Sequence, residues 1–61
     1  MLVTIKVKRG SSFAKYNGKT FEVNPLKFFA IGGKLIIPIK GINNEFPQNY
    51  TDFSQDEIIF S

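Results

Sequence analysis

Apolar and polar residues alternate over residues 2–8, at the start of the chain. Successive side chains of a strand point to opposite faces, so this pattern predicts a first strand with one buried face and one solvent-exposed face. The apolar positions are Val3, Ile5 and Val7. The exposed positions include Lys6 and Lys8, which would make the outer face basic. Residues 9–12, Arg-Gly-Ser-Ser, predict a turn.

Residues 13–23 predict a hairpin. Asn17-Gly18 is typical of a two-residue type I′ turn, because both residues tolerate a positive φ. One face of this hairpin would be directed to the core and would carry Ala14, Tyr16, Phe21 and Val23. The other face would carry Phe13, Lys15, Thr20 and Glu22. Phe13 is therefore expected to be an exposed aromatic ring.

Residues 25–31 leave two interpretations open. Asn24 could cap a short helix that has Pro25 in its first turn and ends before Gly32. Alternatively, residues 26–31 form a strand that turns at Gly32-Gly33 into the next one. The aromatic and β-branched residues, together with the Gly-Gly pair, favour the strand.

The second half of the chain predicts one long strand, a loop and a short closing strand. Residues 34–40 are apolar on both faces, and Pro38 indicates an edge position or a bulge, since proline has no N–H to donate. Residues 41–51 are polar, with Asn43-Asn44 and Pro47 as turn residues. Ser54-x-x-Glu57 matches a capping box that could open one helical turn before a strand at residues 57–60.

These elements predict a single all-β domain over residues 1–61. Short strands joined by tight turns favour a small antiparallel barrel or a sharply curled sheet of about five strands, with at most one or two helical turns, because such a fold closes its own edges. The predicted core consists of Val3, Ile5, Val7, Phe21, Val23, Leu35, Ile37, Ile39 and Ile59.

The stretch Phe46-Pro47-x-Asn49-Tyr50 resembles a signature of Src-homology-3 domains. In that family it shapes a one-turn helix and supplies an aromatic wall for proline-rich peptides. The order of elements along the whole chain also resembles the Src-homology-3-like barrels of ribosomal, chromatin and small phage proteins. The resemblance implies the barrel architecture alone. It does not imply peptide binding, because the chain has no Trp and its residues 9–19 are basic where the family has an acidic loop.

The chain contains no Cys and no His. Disulfides and Cys-based zinc sites are therefore excluded, and the commonest metal ligand and general base are missing. Asp52, Asp56 and Glu57 could imitate a paired-carboxylate site or hold a hard cation, but a solvated turn with a helix cap explains them better. We expect a protein that is not an enzyme and that uses no cofactor and no metal.

Charge is distributed unevenly along the sequence. Residues 1–40 carry all eight basic residues and one acid, a formal charge of +7. Residues 41–61 carry four acids and no base, a formal charge of −4, and the two segments together give the net +3. A basic field of this kind attracts polyanions.

Cations interleaved with aromatic rings are typical of surfaces that bind single-stranded nucleic acid, because the charges follow the phosphates and the rings stack on bases. The candidate nucleic-acid-binding residues are Lys6, Lys8, Arg9, Phe13, Lys15, Tyr16 and Lys19. The alternative is that these lysines serve only solubility and that Phe13 packs under a loop. The presence of a single Arg argues against base-specific recognition.

A second functional class is a protein-binding adaptor or an inhibitor of a host enzyme or complex, of the kind that phages encode. Such a module would dock through an apolar patch or a strand edge, with Phe13, Phe28, Phe29 and Pro38 as candidates, or would present its C-terminal carboxylates as an acidic ligand. A homodimer is also open. No segment suits a membrane span or a secretory signal. The absence of Cys fits a reducing setting, so we expect a cytoplasmic protein. The bias toward Lys, Asn, Ile and Phe fits a bacterial, phage or plasmid origin.

Overall fold

The chain folds into two antiparallel three-stranded sheets. The computed structural model describes residues 1–43 and 45–61, and this part contains six strands, three 3-10 turns and no α-helix. The strands are β1 (Leu2–Ile5), β2 (Thr20–Glu22), β3 (Phe29–Ile31), β4 (Lys34–Lys40), β5 (Tyr50–Ser54) and β6 (Ile58–Phe60). The 3-10 turns are η1 (Ala14–Tyr16), η2 (Pro25–Lys27) and η3 (Gln55–Glu57).

The first sheet joins the beginning of the chain to its end. Its strand order is β2-β1-β6, with β1 in the centre. Val3 lies opposite Phe21 on one side and Phe60 on the other, and Ile5 lies opposite Ile58. The second sheet is a meander of order β3-β4-β5, so β4 is its central strand.

The core lies between the two sheets. Both sheets contribute alternate residues, as the period of two requires. The buried residues are Val3, Ile5, Val7, Val23, Ile37, Ile39, Ile42, Phe53 and Ile58. Six of the nine predicted core positions are therefore confirmed, while Phe21 and Leu35 are half-buried against this core.

Ile59 was expected in the core and is exposed, and its neighbour Ile58 is buried instead. The pairing with β1 decides this, because Ile58 lies opposite the buried Ile5 and Ile59 lies opposite Thr4 on the outer face. Phe53 enters the core from β5, which begins at Tyr50 inside the segment predicted as a loop. Of the predicted Asn43-Asn44 turn, Asn44 lies outside the described residues.

The predicted hairpin over residues 13–23 is wrong in its partners and in its turn type. Its first arm is η1 rather than a strand, and its second arm, β2, pairs with β1. Asn17 has φ −55° and ψ 135°, Gly18 has φ 84°, and Lys19 N–H donates to the Tyr16 carbonyl at 3.0 Å. These are the angles of a type II turn, not of type I′.

Both interpretations of residues 25–31 are confirmed in part. Asn24 Oδ1 accepts a hydrogen bond from Leu26 N–H at 3.1 Å and caps η2, with Pro25 at its first position. The chain then becomes β3 and turns through Gly32 and Gly33, whose φ values of 56° and 80° fit a two-residue type I′ hairpin into β4.

Pro38 lies in β4 beyond the stretch that pairs with β3, so it faces a strand on one side only, where it lies opposite Asp52. Pro38 therefore has the one-sided pairing expected of an edge position, although β4 is the central strand of its sheet.

The fold class is confirmed as all-β, and the finer expectations need correction. The described residues contain six strands rather than about five, three 3-10 turns rather than one or two, and two sheets with no closed barrel. The predicted closing turn is present as η3, where Ser54 N–H donates to Glu57 Oε1 at 2.9 Å. No helix in the described part of the chain has the length and apolarity to cross a membrane.

Candidate nucleic-acid interface

The alternation of β1 continues past the end of the strand. Val7 is buried, whereas Lys6 and Lys8 on either side of it are exposed. The Lys6 N–H donates to the Glu57 carbonyl at 2.8 Å, which holds this extension against η3. The chain then turns, with Ser11 N–H donating to the Lys8 carbonyl at 2.9 Å, and Arg9 is exposed within this turn.

The Asn17 side chain holds residues 15–19, the second basic segment, against residues 6–9, the first. Its Oδ1 accepts from Val7 N–H at 2.8 Å, and its Nδ2 donates to the Val7 carbonyl at 3.1 Å. The Asn17 side chain therefore makes the two hydrogen bonds with the Val7 backbone that a neighbouring strand would otherwise make. Two backbone bonds continue the contact, from Gly18 N–H to the Ile5 carbonyl and from Ile5 N–H to the Lys19 carbonyl, both at 3.0 Å. These bonds bring residues 17–19 beside Ile5 and Val7.

Tyr16 lies between two lysines. The Nζ atoms of Lys15 and Lys19 are 5.2 Å and 5.7 Å from the centre of its ring, within the range of a cation–π contact. The ring is half-buried against the core, which fixes its position and leaves part of it accessible to solvent.

Phe13 differs from the expectation of an exposed ring. It is half-buried, and its ring meets the buried Phe53 edge-on at 5.3 Å between centroids. Its second aromatic neighbour is Tyr16, at 6.3 Å. Phe13 therefore supports Tyr16 from the side of the core, as the alternative interpretation of a packed ring proposed.

The five cations of residues 6–9 and 15–19 form no ion pair within the described residues. Two ion pairs occur in the described residues, between the Met1 amino group and Glu22 at 2.7 Å and between Lys34 and Asp56 at 3.7 Å. Neither involves the group that we call the basic face. Basic face is our name for the cations and the tyrosine of two adjoining segments, residues 6–9 and 15–19: Lys6, Lys8, Arg9, Lys15, Tyr16 and Lys19.

The acids of the C-terminal segment return to one border of the basic face. An open cleft of about 570 Å³ separates them from its lysines. The cleft is lined by Lys6, Lys8, Gly10, Ser11, Lys34, Ser54, Asp56 and Glu57. The separation of charge along the sequence is thus partly lost in the fold, because β6 lies beside β1 and carries η3 with it.

Both carboxylates of this cleft are engaged by the protein itself. Asp56 accepts a hydrogen bond from the Ser54 hydroxyl and pairs with Lys34. The Ser54 hydroxyl, a backbone hydrogen bond and the charge of Lys34 hold the pKa of Asp56 below its ordinary value. Glu57 accepts from Ser54 N–H, and its Oε1 lies 3.0 Å from the Ser54 hydroxyl. In the described residues, no three acidic side chains form a group that could hold a metal ion.

The structure contains a second lysine–aromatic group that the sequence did not indicate. Lys27 Nζ lies 5.2 Å from the centre of the exposed Tyr50 ring, and Lys40 lies opposite Tyr50 in the second sheet. The three residues come from η2, β4 and β5. No spacing in the sequence relates them, since the pairing of β4 with β5 brings Lys40 to Tyr50 and η2 adds Lys27.

The four residues proposed for protein binding do not form one patch. Phe13 is packed against Phe53, and Phe28 is half-buried, with its ring 6.3 Å from that of Phe60. Phe29 and Pro38 do share a face. Phe29 lies opposite Ile36, and Pro38 follows two residues later on the outer side of the second sheet.

The Phe46-Pro47-x-Asn49-Tyr50 stretch does not form the one-turn helix of the family it resembles. It forms a turn, in which Asn49 N–H donates to the Phe46 carbonyl at 3.0 Å, and it leads into β5. The one-turn helix that precedes the last strand is η3, which begins five residues after Tyr50. Phe46 and Tyr50 are both exposed.

Comparison of the chain with protein-family models, with curated proteins and with solved structures finds no match. The functional argument therefore rests on the geometry of this chain.

Proposed function

We propose that this protein is a small non-catalytic module that binds single-stranded nucleic acid through the basic face. One observation carries the proposal: Lys15 and Lys19 lie within cation–π range of the half-buried Tyr16 ring. The adjoining segment of residues 6–9 adds three more exposed cations, and none of the five has an ion-pair partner in the described structure. Charge of this kind follows the phosphates of a strand, and an aromatic ring stacks on any base.

The arrangement favours binding without strong sequence preference. A single arginine limits bidentate recognition of base edges. Tyr16 is the stacking platform, and Lys15 and Lys19 beside it would contact the phosphates that flank the stacked base. Lys6, Lys8 and Arg9 extend the positive surface along the β1 extension. Asp56 and Glu57 limit it on the far side of the cleft, because they repel a polyanion.

The binding affinity of such an interface should depend strongly on salt concentration. Neutralising phosphates releases counterions, with a slope of about −0.7 per contact for single strands. Five contacts would give a slope of about −3.5, so affinity should fall roughly a hundredfold between about 50 and 200 mM salt.

The test compares two double variants with the same net charge. Lys6→Gln with Lys8→Gln removes two cations of the basic face, and Lys27→Gln with Lys40→Gln removes two cations beside Tyr50. Binding of labelled single-stranded and duplex oligonucleotides is measured by fluorescence anisotropy at several salt concentrations. We expect the first variant to bind more weakly and to lose about 1.4 from the salt slope. The second should bind nearly as the unchanged protein does.

Tyr16→Leu supplies a second measurement, because leucine preserves apolar packing and removes stacking. It should cost about 1–3 kcal/mol of binding free energy. Equal losses in both double variants would show that net charge alone attracts the strand. An absence of binding at low salt, or binding that survives high salt and ignores Lys6 and Lys8, would refute the proposal.

A second candidate function is protein binding, as an adaptor or an inhibitor of a host enzyme or complex. The outer side of the second sheet supports it, since Phe29 and Ile31 are exposed there beside Ile36 and Pro38. Capture of a single protein from a nuclease-treated lysate, without oligonucleotide binding at low salt, would favour this function.

We also propose that the likeness to Src-homology-3-like proteins holds for the order of elements. The first strand pairs with the last, three consecutive strands form a meander, and a one-turn 3-10 helix precedes the last strand. The Phe-Pro-x-Asn-Tyr stretch gives no support, because it lies before β5 rather than in η3.

A further inference from the structure

The strand β3 is a three-residue edge strand that carries no lysine, no proline and no bulge. It has a neighbour on one side only, in the order β3-β4-β5. Its sequence is Phe-Ala-Ile, and all three residues are exposed, Phe29 by 39% and Ile31 by 63%. Monomeric proteins commonly protect such edges with a lysine, a proline or a bulge. Here the edge residues are apolar and pair regularly with β4.

The backbone of Ala30 is directed to the free side. Ala30 lies opposite Leu35, and Leu35 N–H donates to Gln55 Oε1 at 3.3 Å, away from β3. In an antiparallel ladder, opposite residues exchange both hydrogen bonds or neither. Ala30 and Leu35 therefore form a pair without mutual hydrogen bonds. The N–H and C=O of Ala30 then point outward, where a further strand could use them.

We propose that β3 pairs antiparallel with β3 of a second copy of this chain, centred on Ala30. In this register the two Ala30 residues exchange two backbone hydrogen bonds. Phe29 of each copy then lies opposite Ile31 of the other, on the outer face of a continuous six-stranded sheet.

The residues around the edge fit a second copy in particular. The sequence Phe-Ala-Ile has a large apolar residue on each side of its centre. The two-fold axis at Ala30 therefore places Phe29 of one copy beside Ile31 of the other. The outer face then carries one apolar row, formed by Ile36 and Phe29 of one copy and Ile31 of the other. Charge does not oppose the contact, since Lys34, opposite Ile31, is paired with Asp56.

Three residues from each copy make a small contact, and small contacts give weak, transient complexes. We therefore expect a dimer that forms with rising protein concentration. The inference is independent of the nucleic-acid proposal, because the basic face comes from other segments of the chain.

The experiment measures the sedimentation of the intact protein from low micromolar to millimolar concentration. Ala30→Pro removes the outward donor, and Ile31→Lys places like charges at the contact. Leu26→Lys is the matched control, because Leu26 is 91% exposed and lies outside β3. We expect the unchanged protein and the control to dimerise and the two edge variants to remain monomeric, with unchanged far-ultraviolet spectra.

A crosslink tests the register and does not depend on the edge variants folding well. The chain has no cysteine, so Ala30→Cys introduces a single thiol. Hydrogen-bonded cross-strand neighbours lie about 5.5 Å apart at Cα, within the range that a disulfide can bridge. Oxidation should link this variant and leave Thr20→Cys, on the edge strand β2, mostly unlinked. A protein that is monomeric at all concentrations, a dimer indifferent to both edge variants, or equal crosslinking of the two thiols would overturn the proposal.

Discussion

Two isoleucines of this chain show how much the position along a strand matters. Ile37 has no solvent-exposed surface and lies opposite the buried Phe53 in the second sheet. Ile59 is 48% exposed on the outer face of the first sheet, opposite Thr4. The same side chain is therefore a core contact in one place and a surface group in the other.

We predict that Ile37→Ala costs about 2–5 kcal/mol of the free energy of unfolding, through lost burial and the remaining cavity. Ile59→Ala should change it by about 0.5 kcal/mol or less, as surface substitutions do. Urea denaturation of both variants, followed by circular dichroism, measures the difference. Similar losses in the two variants would show that Ile59 is buried in solution.

Individual residues were predictable where apolar and polar positions alternate clearly. Val3, Ile5 and Val7 are separated by polar residues, and all three are buried as predicted. The segment at residues 57–60 has two consecutive isoleucines, so the sequence alone does not show which of them faces the core. The pairing with its partner strand decides this. Phe53 was missed for another reason, since it is a single apolar residue between Asp52 and Ser54 and follows the segment predicted as a loop.

Among the elements, the short turns depend on side chains that replace backbone partners. Asn24 caps η2, Glu57 accepts the Ser54 N–H at η3, and Asn17 bonds twice to Val7. The first two matched local sequence signals and were predictable. The third joins residues ten positions apart, so no local sequence signal indicates it.

The η3 turn predicts a measurable titration. The pKa of Asp56 is held below its ordinary value of 3.8, mainly by the Ser54 hydroxyl. Because the folded state binds this proton more weakly than the unfolded state, Asp56 contributes stability above that value. This contribution is lost as the pH falls through the lowered pKa.

We expect Ser54→Ala to raise the pKa of Asp56 toward its ordinary value. Proton NMR of the Asp56 side chain across the acid range measures it in both proteins. The variant should also lose less stability on acidification than the unchanged protein. An unchanged titration midpoint would mean that Lys34 and the backbone hydrogen bond are sufficient.

At the scale of the whole molecule, the two central strands should be the most stable part. β1 and β4 are each paired on both sides and carry buried residues on their inner face. Amide hydrogen exchange should be slowest in these strands and faster in the four edge strands β2, β3, β5 and β6. The Ala30 amide should exchange more slowly as protein concentration rises. Uniform exchange across all six strands would contradict this hierarchy.

The surface charge could be predicted only in part at this scale. The exposure of Lys6 and Lys8 followed from alternation, but the approach of residues 17–19 depends on the hydrogen bonds between Asn17 and Val7, which no local pattern indicates. The return of Asp56 and Glu57 to the border of the basic face depends on the pairing of β6 with β1. Pairing between strands that are far apart in the sequence cannot be predicted from composition or local pattern.

The same pairing has a consequence for the time course of folding. Val3 lies opposite Phe60, so the first sheet is completed only when the last residues of the sequence reach β1. During synthesis, the second sheet can assemble from the meander of β3, β4 and β5, whereas one edge of β1 has no partner until β6 has been made. Contacts between distant residues form slowly, because the intervening chain must first be ordered. Until β6 closes onto β1, the nascent chain presents an unpaired strand edge, which favours aggregation.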